Sequence, residues 1–118
     1  MRHNAAYEKS FEFAVEIVRE AKRLAGKRQY ELASQLLRSG TSIGANLSEA
    51  EYAQSDADLL SKLSIALKEA AEARYWLKLL ERSGDIADAG SMARQADEII
   101  RMLTAGVKTM KERRNEPK

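Results

Sequence analysis

Three glutamates, Glu49, Glu69 and Glu72, are the side chains in this sequence whose chemistry could do more than solvate a surface. Carboxylates on neighbouring helices can ligate a metal. The di-iron helical bundles that work this way, however, take a Glu-x-x-His pair from facing helices, and no such motif occurs here. The single histidine, His3, lies at the N-terminus and belongs to a chain end rather than to a catalytic pair. No Ser-His or Cys-His arrangement exists, and no glycine-rich phosphate loop of the GxxxxGK[ST] type. With no cysteine, thiolate metal sites and disulfides are impossible. The residues therefore point to no catalytic, metal or cofactor site, and the expectation is a protein that is not an enzyme.

Two other residue sets carry chemistry of a different kind. Arg19, Lys22, Arg23, Lys27 and Arg28, and a second group of Lys111, Arg113 and Arg114, could neutralise phosphates of RNA or DNA. Against that stands the charge balance: 20 basic and 18 acidic residues give +2, with both signs interspersed. Residues 1–58 hold eight basic and nine acidic residues, and residues 59–118 hold twelve and nine. Two Phe, four Tyr and one Trp leave few rings for base stacking, so any such binding is expected to be electrostatic and sequence-blind. The second set is polar and small: Ser39, Ser42, Asn46 and Glu49 form a strip expected to hydrogen-bond and fix helix register. Beside it, Gly40 and Gly44 each cost about 1 kcal/mol relative to alanine in a helix interior, which predicts that another backbone comes close.

The elements that must position these residues are helices. One proline and six glycines in 118 residues leave little material for turns, and Ala, Leu, Glu, Lys and Arg dominate. Spacing of apolar residues at three and four predicts four helices, over 7–25, 30–52, 56–82 and 86–113. Phe11, Ala14, Val18, Ala21 and Ala25 form the expected core stripe of the first, with Ile17 and Leu24 beside it. Gly26 is expected to end it in the left-handed conformation. In the second, Ala33, Leu36, Gly40, Ile43, Leu47 and Ala50 keep the rhythm. Ser55 and Asp58 read as a capping box for the third, whose stripe is Leu63, Ala66, Ala70, Ala73, Leu77 and Leu80. Gly84 and Asp85 read as the stop of that helix and the cap of the fourth. There Ile86, Ala89, Ala93, Ala96, Ile100, Leu103, Val107 and Met110 alternate steps of three and four.

These helices, joined by short turns, predict an all-α, antiparallel up-down-up-down four-helix bundle forming one domain over residues 1–118. The third helix carries a second apolar set, Ile65, Trp76 and Leu79, away from its main stripe. A helix apolar on two sides needs two partners, so these three residues are the expected oligomer interface. No stretch approaches the ~18 apolar residues of a membrane span, and the N-terminus lacks the apolar core of a signal peptide. A cytoplasmic location without membrane contact is the expectation.

At LLRSGTSIGANLSEA, followed by QSDADLLSKLSIALKEAAEARYWLKLL, the sequence resembles the bacterial four-helix-bundle proteins encoded in intervening sequences of 23S rRNA genes. The likeness runs from about Phe11 to Met110 and is most specific between Leu37 and Leu77. It implies a four-helix bundle assembled into a homo-oligomeric, pentameric ring. It also implies kinship with the accessory proteins of diversity-generating retroelements, which associate with a reverse transcriptase and with nucleic acid. Members commonly carry basic residues after the serine matching Ser55, where this chain has Asp56 and Ala57. From residues and resemblance together, the expected function is a non-catalytic oligomeric scaffold or interaction module with a protein partner, and the alternative is a nucleic-acid-binding accessory factor.

Overall fold

The computed structural model describes residues 5–115; His3 and the Glu116–Pro117 end lie outside them. Four α-helices account for most of the described chain, with no strand among the described residues: α1 (Ala5–Gly26), α2 (Tyr30–Ala50), α3 (Asp56–Ser83) and α4 (Ala89–Arg114). Each packs on its neighbour in sequence, and α1 packs more sparsely on α4. Paired residues count up on one helix and down on the next. Ile17 and Ser10 of α1 meet Gly40 and Gly44 of α2. Arg38 and Glu49 of α2 pair with Glu69 and Lys62 of α3. Arg74 and Asp56 of α3 pair with Asp97 and Arg113 of α4. The result is an elongated body of 56 × 22 × 21 Å.

Local chemistry sets the helix ends. Ser55 is extended and its Oγ accepts from the Asp58 amide at 3.0 Å, while Asp58 Oδ2 reaches back to the Gln54 amide at 3.1 Å. One of the orphan donors at the start of α3 is thereby satisfied, together with the amide of the residue before the cap. At its other end Gly84 is left-handed (φ 80°), and the Asp85 amide closes on the Leu80 carbonyl at 3.0 Å.

Two of the expected ends differ. Gly26 stays helical, and the left-handed residue is Arg28 (φ 64°), with the Gln29 amide bonding back to the Leu24 carbonyl at 3.0 Å. Continuing α1 through Gly26 gains hydrogen bonds from Lys27 and Arg28 to Arg23, Leu24 and Ala25, against the roughly 1–2 kcal/mol of a left-handed side-chain residue. Asp85 does not cap α4, which begins at Ala89 rather than at 86. Its carboxylate is taken by Gln29 Nε2 and Ser83 Oγ, both at 2.7 Å. This latch joins the α1–α2 turn to the α3–α4 turn and leaves Ile86 to enter the core ahead of the helix. Four further ends shift by one or two residues, α1 starting at Ala5 rather than 7, α2 stopping at Ala50 rather than 52, α3 running to Ser83 and α4 to Arg114, whereas α2 and α3 start at Tyr30 and Asp56 as expected.

The core stripes of α2 and α3 are those that their spacing predicts. In α1 the stripe is rotated: Ser10, Phe13, Ile17, Ala21 and Leu24 are buried, and Phe11 is exposed. Phe13, Ile17 and Leu24 remove more apolar surface from water than Ala14, Val18 and Ala25 would, which outweighs enclosing the Ser10 hydroxyl without a hydrogen-bond partner. In α4, Ile99 is buried on the side toward α1 and Ile100 is half-buried, with Met92 added to the core.

The two α2 glycines differ in what surrounds them. A Cβ on Gly40 would stand 2.7 Å from both γ carbons of Ile17, whereas one on Gly44 would meet Ser10 only at 3.8 Å. Gly40→Ala should therefore lower stability, its overpacking of about 1–3 kcal/mol exceeding the propensity gain of roughly 1 kcal/mol. Gly44→Ala should keep or raise stability. Urea melts of both variants check this, and an unharmed Gly40→Ala would mean that Ile17 is free to move aside.

Candidate functional site

The seam between α2 and α3 gathers most of the polar chemistry in the described chain. Arg38, on α2, reaches across to Glu69 (Nη1 to Oε2, 3.0 Å) and, through Nη2, to Glu72 Oε2. Glu69 and Glu72 are three residues apart on one flank of α3, so both can face a single guanidinium. Trp76, one turn beyond Glu72, donates its Nε1 hydrogen to the same Oε2 at 3.0 Å. That bond and then Arg38 hold the Glu72 carboxyl below the usual carboxylate range, and the two carboxylates raise Arg38 further. Two turns of this seam thus carry a cation, two anions and an indole, joined by hydrogen bonds.

Further along the seam, Glu49 of α2 meets Lys62 of α3 at 2.6 Å and raises its pKa. Each of the three glutamates that could have ligated a metal is thus engaged by a cation of the facing helix. Among the described residues no group of three or more potential ligands converges.

The strip of Ser39, Ser42, Asn46 and Glu49 does not form a mutual network. Ser39 Oγ donates to the Gln35 carbonyl (2.9 Å), Ser42 Oγ to Arg38 (2.6 Å) and Asn46 Nδ2 to Ser42 (2.8 Å). Each bonds the backbone one turn earlier, because that carbonyl is the acceptor within reach of a short helical side chain. Only Glu49 of the four crosses to another helix. The residue that clasps α2 to α3 is Arg38. The sequence signal for it is the Glu69–Glu72 pair, whose spacing puts two carboxylates on the flank of α3 that faces α2.

Ile65, Trp76 and Leu79 separate into two kinds. Ile65 and Leu79 are 40% and 41% exposed, and Tyr75 beside them is 60% exposed. Trp76 is half-buried, packed on the core edge and against Tyr75 with ring centroids 5.1 Å apart. The outward apolar surface of α3 is therefore Ile65, Tyr75 and Leu79, with Trp76 as its floor.

The two basic groups do not come together. Gln29 and Asp85 place the α1–α2 turn, with Lys27 and Arg28, at the end of the molecule where α3 gives way to α4. Lys111, Arg113 and Arg114 lie at the other end, where Arg113 pairs with Asp56 at 3.2 Å. Arg23 is loosely paired with Glu20 at 3.5 Å, whereas Arg19, Lys22 and Arg28 meet no carboxylate among the described residues.

Residues 2–105 match the family model described as 23S rRNA-intervening sequence protein. The chain belongs to that family. A solved structure, described as a protein with unknown function from the S23 ribosomal protein family of Bacteroides thetaiotaomicron, superposes with a TM-score of 0.84 at 47% identity. The match covers 88% of this chain and 99% of that one. No curated protein matches the chain. No helix among the described residues is long and apolar enough to cross a membrane.

The lowered carboxyls have a consequence for acid stability. A carboxyl whose folded pKa is depressed contributes stability that is complete above its unfolded value, near 4, and is lost as pH falls through the folded one. Both Glu72 and Asp85 are of this kind. The melting-temperature advantage of the wild type over Glu72→Gln should be full at pH 7 and shrink below about pH 4. A gap that stays constant from pH 7 to pH 3 would show that Glu72 is not held ionised by Trp76 and Arg38.

Proposed function

We propose that this chain is a non-catalytic scaffold: a single up-down-up-down four-helix bundle that associates with copies of itself, in the ring that the family resemblance implies, to present a multivalent surface to a protein partner. The observation that carries this reading is the apolar ridge of Ile65, Tyr75 and Leu79 on the outer flank of α3. α3 spends its main stripe on its own core, and Ile65, Tyr75 and Leu79 lie outside that stripe with much of their surface exposed. Burying what remains exposed of Ile65 and Leu79 would contribute on the order of 1 kcal/mol each, repeated at every contact of an assembly. The opposite-running helix pairs support the bundle arrangement. A solvated, ion-paired polar surface supports the non-catalytic part, as does a seam whose carboxylates are already engaged.

Light scattering coupled to size exclusion tests this reading. The wild type should show a mass several times 13.2 kDa, and Leu79→Glu should lower it without loss of helicity. Leu79 is the better probe than Trp76, whose half-buried ring also supports its own chain. A stable 13.2 kDa wild-type particle at micromolar concentration overturns the proposal.

A second reading, an accessory factor that contacts the RNA or DNA backbone, is favoured by one observation: Arg19, Lys22 and Arg28 lie toward one end of the molecule without carboxylate partners. In an assembly such groups would recur, and their affinities would combine. Neutralising about three phosphates per chain on a single strand should make affinity fall about 20-fold between roughly 50 and 200 mM salt. Fluorescence anisotropy with mixed-sequence RNA measures this, and Arg19→Glu with Arg28→Glu should weaken all sequences alike. A flat salt profile, or strong selection of one sequence, would exclude it.

A further inference from the structure

The α2–α3 seam holds a cavity that neither the Arg38 clasp nor the apolar ridge uses. It measures about 440 Å³ and is lined by Tyr30, Glu31, Leu32, Ser34 and Gln35 of α2 and by Trp76 of α3. Two aromatic rings and Leu32 make up most of its wall, and Glu31 is the charged residue on it. No cation pairs with Glu31 among the described residues. The indole is held in place from two sides. Its Nε1 hydrogen goes to Glu72 at 3.0 Å, and the Tyr75 ring stands at 72° to it with centroids 5.1 Å apart. Donating that hydrogen to a carboxylate also enriches the indole π-system, the best side-chain face for a cation. The charge of the neighbourhood has the same preference: Glu31, Glu69 and Glu72 against Arg38 leave it at −2. The first turn of α2 brings about half a positive charge to this end, which Glu31 alone outweighs.

We infer that this cavity binds a methylated ammonium group, held against the Tyr30 and Trp76 rings with Glu31 as its counter-ion. The inference goes beyond the scaffold reading and stands whether or not the chain self-associates. The chemistry of the wall selects the ligand class. Anions are repelled by the carboxylates, and a neutral apolar group gains nothing from Glu31. A bare ammonium is strongly hydrated, and the rings and Leu32 return none of the hydrogen bonds it gives up on entry. Methyl groups remove those donors and present apolar surface that the rings and Leu32 can cover, while the attraction of the charge to the ring faces is kept. Two sources carry such a group: a free quaternary amine of the choline kind, and a trimethylated lysine of a protein partner. Tyr30 is 64% exposed, so the cavity opens to solvent and either can enter.

Trp76 is the sole tryptophan of the chain, so its emission reports on the cavity directly. Choline chloride titrated at constant ionic strength should change that emission saturably. Its uncharged isostere, with a quaternary carbon in place of the nitrogen, should not. Saturation-transfer NMR on the choline methyl protons reads binding without relying on the indole. Tyr30→Phe should keep the affinity, whereas Tyr30→Leu should lower it about fivefold and Glu31→Gln about threefold. Both positions are exposed on the first turn of α2, and circular dichroism establishes that each variant is folded. A trimethyllysine peptide beside its unmodified counterpart separates the two sources. Tighter binding of the methylated peptide than of choline assigns the group to a partner, and equal or weaker binding assigns it to a free amine. A wild type silent by both measurements overturns the inference. So does an isostere that binds as well as choline, or a Tyr30→Leu variant that binds as the wild type does.

Discussion

Ile17 seated on Gly40 is the contact from which the arrangement of the first half of the molecule follows. With no side chain on Gly40, both γ carbons of Ile17 come to within 2.7 Å of where a Cβ would stand, so α1 lies close on α2 at one rotational setting. That setting turns Phe13 and Leu24 into the core and carries Phe11 out to solvent. It also encloses Ser10 opposite Gly44, leaving its hydroxyl unpaired. A rotation that freed Ser10 would lift Ile17 out of its seat. Beside this contact a groove of about 320 Å³ opens between α1 and α2, lined mainly by Val18, Ala21, Ala25, Ala33 and Ser34.

The second half of the molecule is governed by α3, which has apolar residues on more of its circumference than one core can use. Its inward stripe of Leu and Ala packs fully. Its flank toward α2 alternates carboxylates with large hydrophobics. Arg38 resolves the carboxylates by donating to both at once, and Trp76 donates its one polar hydrogen to the Glu72 oxygen that Arg38 also holds. These groups are partly exposed, so the clasp orders the seam more than it stabilises the fold, as solvent-screened pairs do. Ile65, Tyr75 and Leu79 are left without any such resolution within the chain.

In the scaffold reading proposed above, function is a matter of surfaces rather than of a reactive centre. The carboxylates that could act as ligands are bound by cations across a helix seam, and the basic residues are divided between the two ends of a 56 Å body. A surface assembled from several copies would bring such dispersed groups into register, which is how a chain with +2 net charge could still present a concentrated field.

Much of the helical layout was legible in the sequence because it depends on local rules. The stripes of α2 and α3, the Ser55–Asp58 cap and the left-handed Gly84 all follow from spacing and end chemistry that act within one helix. The apolar excess of α3 was equally legible, since it is a property of one helix's own circumference. The register of α1 was not, because two overlapping apolar stripes compete on it and only the shape of α2 at Gly40 chooses between them. Nor were Arg28 as the left-handed residue, the Gln29–Asp85 latch or the Arg38 clasp. Each joins groups whose separation in sequence carries no periodic signal, so the partner of Asp85 or of Arg38 was decided only when the turns and seams of four helices came to lie beside one another.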